Sequence, residues 1–408
     1  MNNNWKRNTV IFLAGQSLSL FGTSLVQYAI LWYITLNTQS GVMMTIYIIC
    51  GFLPTFFLSP FAGVWADRYN RKLIIMLSDS IIALSTLFLA VLFLMGYNAL
   101  WLLFLMGAVR ATGSGVQTPA VGAFLPQIVP QKQLTRVNGI MGSIQAAVAL
   151  VSPMVSGALL TVASIEAIFF IDVVTAAIAV LALLLFLQVP VHAKALEKQP
   201  LGYFSDMREG IIYIKNNAYI KQFFIFCTFF FFLIAPAAFL TPLQVARSFG
   251  SDVWRLTAIE ITFSIGMIAG GLIMTAWGGF KNRVHTMTLS ILVSGAGTVA
   301  LGLVPVFWIY LAIMGAIGVT MPLFNTPSMV LIQEKVEESY MGRIFGVFSM
   351  IASSMMPLGM LVFGPVADSI KIEWLLVGTG ALLFIQGFFL LGSRTMLEAG
   401  QPVEKPDR

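Results

Sequence analysis

Arg110 stands in Gly107-Ala-Val-Arg110-Ala-Thr-Gly113-Ser-Gly115, near the middle of an apolar run over 99–124. A guanidinium at the centre of a bilayer costs about 2.5–3.5 kcal/mol on insertion scales, so it must face protein or water and find a partner. Three carboxylates also lie within apolar runs: Asp79, Asp172 and Glu260. Desolvation favours the neutral acid, whereas a neighbouring cation favours the ionised one. A carboxylate that alternates between water and a cation therefore takes up and releases protons. The chemistry to expect is proton coupling, with Arg110 set against Glu260 or Asp172. Structural alternatives stay open: an ion pair for Arg110, an interfacial position for Glu260, and for Asp79 a brace on the charged loop that precedes it.

Uncharged groups form a second layer. Gln16, Gln27, Gln117, Gln145 and Asn325 are amides at membrane depth, able to bond a ligand or a neighbouring helix. The run Phe223 to Phe232 offers an apolar surface to a drug or to lipid. Gly113 and Gly115 fit close helix packing, and no strand precedes them to make a nucleotide loop. Cys50 and Cys227 are isolated thiols with neither a disulfide framework nor metal spacing. No metal site and no enzymatic chemistry are expected.

The elements that position these residues follow from composition. The 408-residue chain is 58% hydrophobic and 10% charged, with a mean hydropathy of +0.89. Soluble domains carry about 25% charged residues, so this is an integral membrane protein, all-α. A span needs about 20 mostly apolar residues, and helices or closed barrels are the only spanning structures. Twelve runs qualify, too long for barrel strands: 10–34, 42–65, 73–95, 99–124, 137–162, 166–188, 222–246, 256–279, 284–304, 306–331, 344–366 and 373–393. The first is too long for a signal-peptide core and is expected to remain as a span.

Charge orients them. With both termini in the cytoplasm, only Arg247, Arg255 and Lys371 of the 23 Lys and Arg residues face outward, Arg110 lies within a span, and the other nineteen collect inside. That bias is the positive-inside pattern. The net charge of +6 sits at helix ends, where it meets anionic lipid, and no nucleic-acid partner is expected.

The chain repeats itself. Gly107-Ala and Thr118-Pro119 recur as Gly315-Ala and Thr326-Pro327 at an offset of 208. Arg136, Gly139, Gly157, Ile165 and Glu166 recur 207 residues on, and Thr45 and Arg71 recur as Thr257 and Arg283 at 212. The expected organisation is an N-terminal six-helix bundle over 1–188, a cytoplasmic loop over 189–221 with an amphipathic surface helix near Asp206–Lys215, and a C-terminal six-helix bundle over 222–408.

Between the second and third runs lies Gly63-Val-Trp-Ala-Asp67-Arg68-Tyr-Asn-Arg71-Lys72, with four charges in six residues. Gly63, Asp67, Arg68, Arg71 and Lys72 resemble the loop signature of the major facilitator superfamily. Arg110-x-x-Gly113-x-Gly115 resembles the helix-four signature of its proton-linked members. In Ala149-Leu-Val-Ser152-Pro153-Met-Val-Ser156-Gly157, Pro153 and the last glycine match the antiporter signature, while Ala149, Ser152 and Ser156 replace three glycines.

Nearly the whole chain is similar to the twelve-helix bacterial drug-efflux branch. The likeness is carried by Ala14-Gly15-Gln16, Ser24-Leu-Val-Gln27, Gly51-Phe-Leu-Pro54 and Ile259-Glu260-Ile. It implies two parallel six-helix repeats with substrate sites near midplane, and proton-coupled export of a small-molecule drug by a monomer in the bacterial cytoplasmic membrane. The 63–72 loop, with Asp79, becomes a cytoplasmic gate. The loop most resembles tetracycline exporters, although Ser59 stands where their glutamate precedes the proline. The expectation is tetracycline, carried as a divalent-cation complex, with no resident cofactor. Macrolide export is the alternative within the class, and a channel or membrane sensor the alternative outside it.

Overall fold

The computed structural model describes residues 5–187, 212–337 and 340–401. The expected surface helix near Asp206–Lys215 lies outside them, apart from a helical turn at 212–216. Regular structure among the described residues is helical throughout. It comprises α1 (Trp5–Thr38), α2 (Gly41–Arg68), α3 (Arg71–Leu94), α4 (Leu100–Ile128), α5 (Leu134–Val162), α6 (Ile165–Phe186), α7 (Ala218–Leu233), α8 (Ala235–Phe239), α9 (Thr241–Ser248), α10 (Val253–Trp277), α11 (Arg283–Leu303), α12 (Phe307–Lys335), α13 (Met341–Ser369), α14 (Ile372–Gly392) and α15 (Arg394–Ala399).

Ten of the described helical segments are long and apolar enough to cross a membrane. Helix α4 has the length, but Arg110 and the Gly, Ser, Thr and Gln residues around it dilute its apolar character. The seventh expected span, 222–246, is not one helix. It breaks into α7, α8 and α9, because Pro236 and Pro242 each open a new piece. A proline lacks the N–H that would continue the preceding turn, and its fixed φ suits the first turn of the next.

The chain divides into two compact units, Met1–Thr38 with Ile46–Pro200, and Gln39–Thr45 with Leu201–Arg408. In the first unit α1 packs against α5 and α6, and α3 against α4 and α6. A buried cluster built on Phe12, Ile75, Phe124, Ile128 and Leu183 fills the end of the unit that carries the 63–72 loop. Phe12 and Phe124 lie 5.0 Å apart there.

In the second unit α10 packs on α12, and α11 on α12 and α14. Lipid gives no hydrophobic drive for such pairing, so close backbone approach must supply it. Gly266, Gly270 and Gly318 do so: a Cβ on any of them would collide with a backbone carbonyl of the facing helix. The expected aromatic drug surface is mostly interior. Phe230 stacks on Phe324 at 4.0 Å, Phe231 lies against Phe324 and Phe348, and within the run Ile225 and Phe229 are the exposed side chains.

Repetition reaches individual bonds. Asn70 caps α3 by accepting from the Lys72 and Leu73 amides, and Asn282, 212 residues later, caps α11 by accepting from Val284. Arg71 Nε donates to the Ala66 carbonyl at 2.8 Å, and Arg283 Nη1 to the Gly278 carbonyl at 3.5 Å, again at an offset of 212. Glu166 and Glu373 each occupy the first turn of a helix, where the helix dipole favours an anion.

Candidate functional site

Four helices of the first unit converge on Arg110, which is 6% exposed. Its Nη1 donates to Asp172 Oδ2 on α6 at 2.5 Å and to the Thr86 hydroxyl on α3 at 2.6 Å. Its Nη2 donates to the Thr23 carbonyl on α1 at 3.0 Å. The Thr86 hydroxyl lies 3.0 Å from the same Asp172 oxygen. Helix α1 can come this close because Gly22 has no Cβ to strike Thr175 and Asp172. The sequence points to Arg110 and Asp172; Thr86, Thr23 and Gly22 carry no signal beyond being small or hydroxylated.

A second polar layer lies along the same helices. Asp79 is 1% exposed. Its Oδ1 accepts from the Ser19 hydroxyl on α1 at 2.5 Å and from Gln117 Nε2 on α4 at 2.8 Å. Neither partner belongs to the 63–72 loop, so the expected brace is not the contact this carboxyl makes. Asp79 and Thr86 are seven residues apart on α3, as are Gln117 and Arg110 on α4. The layers are thus separated by about 10 Å along those helices.

The other expected carboxylate, Glu260, is half-buried on α10, seven residues or about two turns inside the helix start. No hydrogen bond or ion pair holds it among the described residues.

Among the amides, Gln117 is bound to Asp79, and Gln16 is 2% exposed with its Nε2 unbonded. Gln27, Gln145 and Asn325 are exposed. In the charged loop, Arg71 Nη1 donates to the Ala123 carbonyl of α4 at 2.9 Å, and Lys72 Nζ to the Leu187 carbonyl at 2.7 Å. Lys72 thereby meets the carbonyl that follows α6, where the helix dipole is negative, and Arg71 ties the start of α3 to the C-terminal part of α4. Arg68 ends α2 and Gly63 lies inside it. The Asp67 side chain lies outside the described residues. Among the described residues no three His, Cys, Asp or Glu side chains gather into a metal-holding group.

One acid that the sequence left without a role is heavily engaged. Asp368, near the end of α13, accepts from the Gly41 amide at 2.7 Å, the Val42 amide at 3.0 Å, the Ser40 hydroxyl at 2.6 Å and Arg247 Nη2 at 2.8 Å. It caps the start of α2, whose residues Gln39–Thr45 belong to the second unit. Beside it a cavity of about 670 Å³ is lined by Arg247, Ser248, Asp368, Lys371, Glu373 and Trp374 among others.

Comparison with known proteins fits this architecture. Residues 12–360 match the family described as Major Facilitator Superfamily. The chain is 30% identical over 383 residues to macrolide efflux protein A of Streptococcus pyogenes, covering 93% of this chain and 94% of that one. A protein of the same name from Enterococcus faecalis is 30% identical over 312 residues, 76% of this chain and 96% of that one. Among solved structures, the nucleoside transporter NupG superposes with a TM-score of 0.73 at 15% identity, over 95% of this chain and 99% of that one. A D-xylose–proton symporter gives 0.71 at 12% identity, over 97% and 99%; both show the fold alone.

Proposed function

Because this chain belongs to the Major Facilitator Superfamily, we propose that it exports a drug in exchange for protons, and that the drug is a macrolide. The protein is a multi-pass transporter and not an enzyme, with the twelve-helix fold of that superfamily. The observation that carries the substrate class is the 30% identity, nearly end to end, with macrolide efflux protein A. Proton coupling is supported by a buried arginine beside membrane-embedded acids, groups that cost too much to keep at such depth without a use.

In this reading the chain works as a monomer by alternating access in a bacterial cytoplasmic membrane, both termini inside. Protons loaded from outside drive the return step, and the 63–72 loop closes the cytoplasmic side between states. A proton entering down 100 mV releases about 2.3 kcal/mol, enough for roughly a fifty-fold drug gradient at about 1.4 kcal/mol per factor of ten. Gln27, Gln145, Asn325 and Glu260 are candidate polar contacts for the drug. Tetracycline, as a divalent-cation complex, is the second reading, favoured by the wording of the loop Trp65–Lys72.

The test is uptake of erythromycin and of tetracycline into inside-out vesicles with an imposed pH gradient. Erythromycin should accumulate and leak away when a protonophore is added. Accumulation of tetracycline alone transfers the assignment to the second reading. Gradient-independent ion flux through the purified protein replaces the pump with a channel.

A further inference from the structure

We propose that Asp79 is the residue that carries the coupled proton, and that the Arg110–Asp172 pair stays closed and holds the helices around it. The inference rests on the proton-coupled reading and names the acid within it.

The two buried acids of the first unit share one pattern, two donors on one oxygen with the other oxygen buried and unbonded, and they differ in whether a cation is among the donors. Asp172 shares one oxygen with a guanidinium at 2.5 Å and a hydroxyl at 3.0 Å, so its charge is matched within the protein. Asp79 has no cation among its partners. Both of its donors, Ser19 and Gln117, converge on Oδ1, and Oδ2 is buried with no bonded partner. With both donors on Oδ1, that oxygen serves as the carbonyl of the acid form and Oδ2 is the one left to take the proton. An isolated buried carboxylate is too costly to keep, and such a group neutralises instead.

The surroundings leave room for no other charge to take that role. From α1 Asp79 faces Ser19, and from α4 it faces Gln117, with Arg110 seven residues further along. On α6 stands Asp172, whose charge is held by Arg110. Helices α2 and α5 carry no charged side chain between Gly41 and Val64 or between Val137 and Val162. Just along α1, one turn before Ser19, Gln16 Nε2 is likewise buried and unbonded.

The step is simple to balance. The Asp79 carboxylate binds one proton that enters from outside, forming the Oδ2–H bond. It gives the same proton to cytoplasmic water later in the cycle, and the drug moves the other way. No other bond forms or breaks.

Infrared difference spectroscopy on the purified full chain in lipid tests the assignment without transport. The spectrum of wild type minus Asp79→Asn at neutral pH should contain the carbonyl stretch of a protonated carboxylic acid. Gln117→Ala, which leaves the acid in place but removes one donor to its carbonyl oxygen, should shift that band to higher frequency. Asp172→Asn should leave it present. In vesicles, Asp79→Asn should lose gradient-driven macrolide accumulation while keeping drug exchange at equal pH on both sides. A missing band, or a band that Gln117→Ala does not move, overturns the proposal, as does normal gradient-driven accumulation by Asp79→Asn. If instead wild-type transport ignores the pH gradient while the band behaves as described, the failure lies with the coupling reading and the proton-bearing acid stands.

Discussion

Removing Arg110 leaves Asp172 buried, 0% exposed, with its counter-charge gone. Breaking a buried pair from one side costs about 3–5 kcal/mol, because the orphaned ion keeps its desolvation penalty. Arg110→Ala should therefore lower unfolding stability in detergent by about that much, and gradient-driven export should fall with it. Adding Asp172→Asn removes the stranded charge, so the double variant should regain at least half of the loss. Equilibrium unfolding of the four proteins forms a double-mutant cycle; simple additivity would show that the two side chains are not coupled. The arginine was legible in the sequence because a midplane guanidinium must have a partner. Which acid it chose was not, since Asp172 is 62 residues away and Glu260 met the same description. Asp79 was misplaced for a related reason. Its nearness to Lys72 along the chain suggested a brace, but Ser19 and Gln117, 60 and 38 residues away, are its partners.

Helix ends were harder to read than helix centres. Hydropathy places spans but is blind to backbone groups, so the bonds from Arg71 and Lys72 to backbone carbonyls of neighbouring helices left no mark in it. The broken seventh span shows the same limit: Pro236 and Pro242 were visible, but the aromatic run before them dominated the reading. Asp368 is the clearest case, because two of its four partners are backbone amides of α2 and no side-chain pattern announces them. The first amides of a helix have no partner within it, and a capping acceptor contributes about 0.5–2 kcal/mol. Asp368→Ala should lower the melting temperature measurably by loss of that cap, with Asp368→Asn, which keeps an acceptor oxygen, losing less. Equal losses in the two variants would mean that the charge facing Arg247, and not the cap, is what Asp368 contributes.

At the scale of the whole molecule, the repeat was legible because both its spacing and its chemistry survive: Asn70 and Asn282 cap, and Arg71 and Arg283 reach back to carbonyls, at one offset. Orientation rests on charge alone. Moving Lys and Arg loops across a membrane is disfavoured, and nineteen such residues fall on one side of the twelve-span reading against three on the other. That bias predicts which loops meet the outside. Tyr97 and Val306 are 52% and 45% exposed in connections on the cation-poor side, and Lys132 is exposed on the cation-rich side. With Cys50 and Cys227 replaced by alanine, Tyr97→Cys and Val306→Cys should react with a membrane-impermeant maleimide in intact cells. Lys132→Cys should react only after the membrane is opened. The opposite pattern would place both termini outside and reverse the direction in which the acids of the first unit meet external protons.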